Sequence, residues 1–426
     1  MSVLSSMASA AKRAVSTTRP VSKVPLLITP AELAQLPRSE DSLGIIHFSQ
    51  KKTTKVLDVS WHMPNSARNP TQDYLAGPRI PGALRWDLDK IANPKTDDAV
   101  RLSDGESDDW KASGLAKNEL GLGHMLPGPK RFASACSKLG ITPSDHVVVY
   151  DSLGIFSAPR GAFTFTAMNH ANVSVLDGGL PRYQAEGFEL DIGVLSSEEE
   201  GLKRAGIDHE VYALTSALLT FGALLMMYSI LPRHSAVPVS RTVFQQISPY
   251  DQVLKNSENA SADDGDLIMD ARSRERWSGE APEPRAGLSS GHMPHAFSLP
   301  FTALLSPASG PSKPYTSFLP VEPLRQVIIR ALSSPRAKLD LSVHDGGLSE
   351  KELAAGRQRW EQVKQGKKLT WSCGSGMTAA VGVWAMRLVA QADVGSKEVK
   401  SLDNVALYDE SWTGYAMRDT SVIVKE

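Results

Sequence analysis

Short aliphatic runs, each ending on a polar residue, recur along the 426-residue chain between stretches of helical spacing. In the first half VLDVS (56–60), VVVYD (147–151) and VSVLD (173–177) read as buried parallel strands bounded by turn signals. RFASACSKLGI (131–141) has helical spacing ahead of a strand, and GAFTFTAMNH (161–170) reads as a helix between two strands. The second half repeats the pattern with LIMDAR (267–272), KLTWS (368–372) and VALYD (405–409), and with TAAVGVWAMRLVA (378–390) as the helix between the last two. Strand, helix and strand in alternation predict an α/β fold with mainly parallel sheets flanked by helices.

The two halves also match each other in order. VLDVSWHMP (56–64) corresponds to IMDARSRERW (268–277), and RIPGALRWDL (79–88) to HMPHAFSLPF (292–301). VVVYD corresponds to the strand before Cys373, and VLDGG (175–179) to LYDES (407–411). Four segments recurring in the same order define two copies of one domain.

Composition narrows the function. Lys plus Arg is 46 and Asp plus Glu is 47, for a net charge of −1, which argues against a broad phosphate-neutralising surface for nucleic acid. Two cysteines, Cys136 and Cys373, exclude a disulfide scaffold and any multi-cysteine metal site. No metal and no cofactor is expected. Residues 1–31 lack Asp and Glu and carry Lys12, Arg13, Arg19 and Lys23 among many Ser and Ala, the composition of a mitochondrial transit peptide. Mitochondrial targeting is therefore expected, and a second start site would supply a cytoplasmic form as well. Val211–Leu231 is free of charge over a length close to the roughly 20 residues of a membrane span. A span there would put the two halves on opposite sides of a membrane, so it is read as a retained intron or a linker insertion, with no membrane partner. Asn93–Glu119, rich in Asp and Ser, reads as a surface insertion.

The chemistry centres on LTWSCGSGMTAAVGVWAMRLV, where Cys373 lies between an apolar strand and a helix. The small residues Gly374, Ser375 and Gly376, followed by Met377 and Thr378, allow consecutive backbone N–H groups to point inward at a helix N-terminus. Such a nest stabilises a thiolate and predicts a nucleophilic Cys373. Thr378 is a candidate cap for the helix. A cysteine phosphatase needs an Arg after five intervening residues, where this chain has Ala379, so phosphate chemistry is disfavoured. Cys136 shares a helical face with Phe132 and Leu139 and is expected in the core.

The loop CGSGMTA, the duplication and the string HMLPGPKRFASACSKLGI resemble the tandem-rhodanese sulfurtransferases, with CGSG resembling the branch that uses mercaptopyruvate. DSLGIFSAPR (151–160), SVLDGGLPRYQAEGF (174–188), GEAPEPRAG (279–287) and YDESW (408–412) share the family look. GHMPH (291–295) and YDESW depart from the family patterns GHIPG and YDGSW. The resemblance implies a leader over 1–24, an inactive rhodanese-like domain over 25–192, a linker with an apolar insertion over 193–262, and a catalytic rhodanese domain over 263–426. Asp151 stands where Cys373 does in the second copy, and an acid there cannot accept sulfur.

The same resemblance implies a reaction and roles. Cys373 would take a sulfane sulfur from 3-mercaptopyruvate, release pyruvate, and pass the sulfur to cyanide or to a thiol acceptor such as thioredoxin. Ser375, His124 and Asp89 match the positions that manage protons, with the carboxylate orienting the imidazole. Arg276 and Arg285 match the clamp for a 2-oxo acid thiol, whose planar oxygens suit guanidinium forks. Gly374, Gly376, Met377 and Thr378 complete the substrate loop. Arg272 and Arg274 are expected in ion pairs or on the surface, and His62 to be structural. The alternatives are a thiosulfate sulfurtransferase on the same fold and a non-catalytic rhodanese-like interaction module.

Overall fold

The computed structural model describes residues 24–37, 53–94, 118–207, 246–335, 347–393 and 404–426. Residues 1–23 of the leader expected over 1–24, most of the insertion expected over 93–119 and the whole of Val211–Leu231 lie outside the described residues.

The first half forms a five-stranded sheet from β1 (Leu27–Ile28), β2 (Thr54–Asp58), β3 (Leu84–Arg85), β4 (His146–Tyr150) and β5 (Val173–Leu176). Their order across the sheet is β1-β5-β4-β2-β3, and every pairing is parallel. In the second half β6 (Leu267–Asp270), β7 (Phe297–Ser298), β10 (Leu369–Ser372) and β11 (Val405–Leu407) form a parallel sheet in the order β11-β10-β6-β7. The order β5-β4-β2-β3 of the first sheet thus recurs as β11-β10-β6-β7 in the second, and Leu84 of β3 and Phe297 of β7 occupy equivalent positions, as the sequence correspondence predicts. The extra edge strand β1 has a remnant in the second half, where Ile247 bridges Leu407 in parallel. A short antiparallel hairpin, β8 (Leu305–Ser306) with β9 (Ser317–Phe318), projects from the second half.

Every residue of β4, β5, β6 and β10 is buried, which explains why these strands read as continuous apolar runs. Helices flank both sheets. The segment predicted at 161–170 is the helix Ala158–Ala167, and that predicted at 378–390 is the helix Ala379–Asp393. These two equivalent helices pack on each other, so a single apolar core runs through both copies. Polar links join the halves as well: Trp384 Nε1 donates to the Leu26 carbonyl at 3.2 Å, and the Phe318 amide donates to Asp177 Oδ1 at 3.0 Å.

The segment expected as linker, 193–262, is structured at both ends. The helix Glu198–Arg204 packs near β3, and the Leu195 amide donates to the Leu75 carbonyl at 2.9 Å, tying 193–207 to the first half. The helix Tyr250–Asn256 and the Ser248–Leu407 backbone bond tie 246–256 to the second half. Apolar side chains on both stretches, Leu195, Ile207 and Val253 among them, are buried, and this anchors segments that composition alone assigns to a linker. Cys136 is fully buried on the helix Pro129–Lys138, and burial pushes its thiol far up, consistent with a core role. Among the described residues no helix is long and apolar enough to cross a membrane, and no cluster of His, Cys, Asp and Glu is arranged to hold a metal ion.

Candidate active site

Cys373 follows β10 and is 2% exposed. Its amide donates to Ser411 Oγ at 3.1 Å, and its carbonyl accepts from the Trp412 amide at 2.9 Å. The next carbonyl, that of Gly374, accepts from the amide and the hydroxyl of Thr413 at 2.9 and 2.6 Å. These bonds hold the strand end rigid against the helix Ser411–Ala416.

Two glycines shape the loop. Gly376 adopts φ +80°, and a Cβ there would lie 2.8 Å from the Asp409 carbonyl. A Cβ on Gly374 would lie 3.1 Å from Arg276 Nη2 and 3.7 Å from Arg285 Nη1, so the absent side chain lets both arginines approach the loop backbone. Met377 is buried beneath the loop. Thr378 immediately precedes the helix that begins at Ala379, and its hydroxyl makes no capping hydrogen bond to that helix. The capping expected of Thr378 is not made among the described residues; the Val381 amide donates to the Thr378 carbonyl at 3.1 Å instead.

The first copy shows what this loop geometry can hold. Asp151, the counterpart of Cys373, is fully buried and accepts five backbone amides. Leu153 and Gly154 donate to Oδ1, and Phe156, Ser157 and Ala158 donate to Oδ2, all at 2.8–2.9 Å. The loop is an anion nest already filled by its own carboxylate. In the second copy the amides of Ser375 through Ala379 donate to no protein acceptor among the described residues. That nest is open beside a thiol.

His124 and Asp89, both from the first half, meet as the resemblance implies, with Nδ1 3.0 Å from Oδ1. Burial pushes the Asp89 carboxyl up, but hydrogen bonds with His124 and Trp61 outweigh it and hold the group below its usual range. The buried Nε2 of His124 has no hydrogen-bond partner among the described residues. Ser375 lines a cleft of about 210 Å³ together with Gly123, Arg285, Glu410 and Thr413, but it makes no hydrogen bond to His124. His124 itself is not among the residues that line this cleft; its chain neighbour Gly123 is.

The arginines divide by role. Arg272 is buried between Asp270 and Glu283, and Arg274 pairs with Glu426 and lies over Trp277. Arg276 is fixed on Glu283 through Nε at 3.1 Å and through Nη2. Arg285 makes no hydrogen bond or ion pair among the described residues and borders the cleft. Burial lowers its guanidinium from its usual value, Cys373 opposes that shift, and Arg276 adds to it. His62 pairs with Asp73 at 3.1 Å, away from the loop.

Sequence reasoning missed three groups that build the site: Trp61, whose indole N–H holds Asp89; Glu283, which orients Arg276; and Arg160, which reaches the loop from the first copy. Arg160 alone left a trace, as a charged residue opening an otherwise apolar helix.

A buried thiol beside an open anion nest, faced by guanidinium groups and built on the second of two matched α/β domains, is the arrangement of a sulfurtransferase of the tandem-rhodanese type. No family model matches the chain. Among curated proteins it is 30% identical over 365 residues to the mitochondrial thiosulfate/3-mercaptopyruvate sulfurtransferase 1 of Arabidopsis thaliana, covering 85% of this chain and 71% of that protein. A probable 3-mercaptopyruvate sulfurtransferase of Schizosaccharomyces pombe is 28% identical, with 86% and 87% covered. Two solved structures share the fold. The Tum1 protein from Saccharomyces cerevisiae has a TM-score of 0.59 at 23% identity, covering 95% of this chain and 99% of that one. SseA from Escherichia coli, described with a rhodanese fold, has a TM-score of 0.52 at 22% identity, covering 91% and 99%. The chain belongs to the thiosulfate/3-mercaptopyruvate sulfurtransferase family and is an enzyme that transfers sulfur.

Proposed function

We propose that the sulfur donor is 3-mercaptopyruvate and that Cys373 carries the sulfur as a persulfide. The Cys373 thiolate attacks the donor sulfur; the carbon–sulfur bond breaks, and its electron pair passes to the carbon of pyruvate enolate. A proton delivered to that carbon completes pyruvate. An acceptor thiolate, or cyanide, then attacks the outer sulfur, and the sulfur–sulfur electron pair returns to Cys373.

The open nest beside Cys373 carries this reading, because five unsatisfied amides are arranged to hold the negative charge that shifts between thiolate and persulfide. Gly374 and Gly376 give the loop its shape, and Met377 and Thr378 complete its floor and exit. Arg285 is free to fork onto the 2-oxo acid carboxylate, and Arg276, held by Glu283, faces the same loop. His124, oriented by Asp89, supplies or removes the proton through Ser375 and the intervening reactant. The absence of a basic residue inside the loop favours a 2-oxo acid thiol over thiosulfate. The natural acceptor is a small or protein thiol, with thioredoxin as one candidate, and the location is mitochondrial, in keeping with the name of the plant relative.

Mass spectrometry of Cys373 after exposure to 3-mercaptopyruvate tests the assignment. A gain of one sulfur on the peptide carrying Cys373 is expected. A loaded thiosulfate reaction with no product from mercaptopyruvate would overturn the donor assignment.

A further inference from the structure

The site is split between the two copies: Asp89 and His124 come from the first, and Cys373 and Ser375 from the second. We propose that Arg160 and Asp409 are positioning residues that set the register between these half-sites. The inference deepens the reading above, since it assigns to a first-copy residue the task of placing the second-copy nucleophile.

Arg160 lies on the helix Ala158–Ala167 of the first copy and is 1% exposed. Its Nη2 donates to the carbonyl of His124 at 2.6 Å and meets Asp409 Oδ1 at 2.6 Å. Its Nη1 donates to the carbonyl of Gly376, inside the cysteine loop, at 3.3 Å. One planar guanidinium therefore touches the backbone of the imidazole bearer and the backbone of the nucleophile loop at once. Asp409 closes the circuit from the other side: its Oδ2 accepts the amide of Leu126, two residues after His124, at 2.8 Å. His124 itself is held at φ +44°, a conformation that this pair of bonds braces on both sides.

Neither residue makes a hydrogen bond to the side chain of Cys373 or Ser375; Asp409 also lines the cleft beside Ser375, so the split between kcat and KM separates positioning from direct contact with the substrate. A lysine at position 160 has one point of attachment and cannot span the acceptors that a guanidinium fork spans. A shift of about 1 Å between half-sites is enough to cost on the order of 100-fold in rate.

Asp409→Asn, Arg160→Lys and Arg160→Met in the full chain test this, with the wild type run in parallel. Asp409→Asn is the gentlest, because it keeps an oxygen for the Leu126 amide while removing the charge that Arg160 meets. We expect kcat to fall on the order of 100-fold while KM for 3-mercaptopyruvate stays within a few fold, since Arg276 and Arg285 are untouched. The double variant Arg160→Met/Asp409→Asn should be no worse than the more damaged single one. Hydrogen exchange without substrate should speed up together at Leu126 on one side of the interface and at Cys373, Trp412 and Thr413 on the other, where the amides are hydrogen-bonded. An unchanged kcat in Asp409→Asn, or exchange that rises on one side alone, overturns the proposal. Should Arg160→Met fail to fold, Asp409→Asn decides. Failure of the donor assignment is seen separately, as a wild type that gains no sulfur, and the exchange measurement still reads the register in that case.

Discussion

Trp61 donates its indole N–H to Asp89 Oδ2 over 2.8 Å, and this leaves the other oxygen of the carboxylate for His124. Trp61 also meets the His124 ring edge-on at 5.0 Å and stacks on Phe156. The indole thus fixes both the acid and the plane of the imidazole it orients.

The first prediction follows from the protonation of Asp89. Its carboxyl is held below the usual value near 4, so its ionised form stabilises the folded site above that range, and the contribution is lost as pH falls through the depressed value. Trp61→Phe removes one donor and leaves the burial that pushes the group up. The carboxyl should therefore rise, and the acid limb of the kcat profile should move to higher pH. A profile that superimposes on the wild type would sink the idea.

Arg285, proposed above to clasp the substrate, borders the cleft and has no hydrogen bond or ion pair among the described residues. Arg285→Lys keeps the charge but loses the bidentate fork, and KM for 3-mercaptopyruvate should rise roughly 10- to 100-fold with a smaller change in kcat. Steady-state kinetics with a single donor measure this directly. Equal losses in kcat and unchanged KM would place Arg285 outside ground-state binding.

Asp151 offers a contrast in the first half of the chain. Asp151→Asn leaves one oxygen where two accept five amides, and the fold should lose about 2–4 kcal/mol by chemical denaturation. Asp151→Cys should not create a second sulfur carrier. The hairpin of β8 and β9 closes over this loop: a Cβ on Gly154 would lie 2.8 Å from Thr316 Oγ1. Whole-protein mass spectrometry after donor treatment should show one added sulfur, and two would refute the occlusion.

The sequence made the cores of both sheets and the cysteine loop readable because each rests on local signals. β4 and β10 are uninterrupted apolar runs, and Gly374 and Gly376 sit beside the only cysteine flanked by such residues. The pairing of Asp89 with His124 rested on the resemblance, and the geometry brings those two side chains into contact. Trp61, Arg160 and Asp409 were not assigned roles, since each acts through partners remote in the chain: Arg160 reaches Gly376 across 216 positions, and Asp409 reaches Leu126 across 283. Two-residue edge strands such as β1 and β9 escape periodicity for a different reason, being too short to show any. Glu410, where the family pattern has glycine, is accommodated by a partner as well: Arg418 pairs with its carboxylate at the cleft wall.

The anchoring of the chain on either side of 208–245 bears on how such a gene product tolerates change. Ile207 is buried against Gly140 in the first half, and Gln246 is buried against Leu407 and Arg387 in the second. The halves are clasped by their shared core and by Arg160 with Asp409. A change at either of those places acts on both half-sites at once, while Ile207 and Gln246 each pin the chain to its own half.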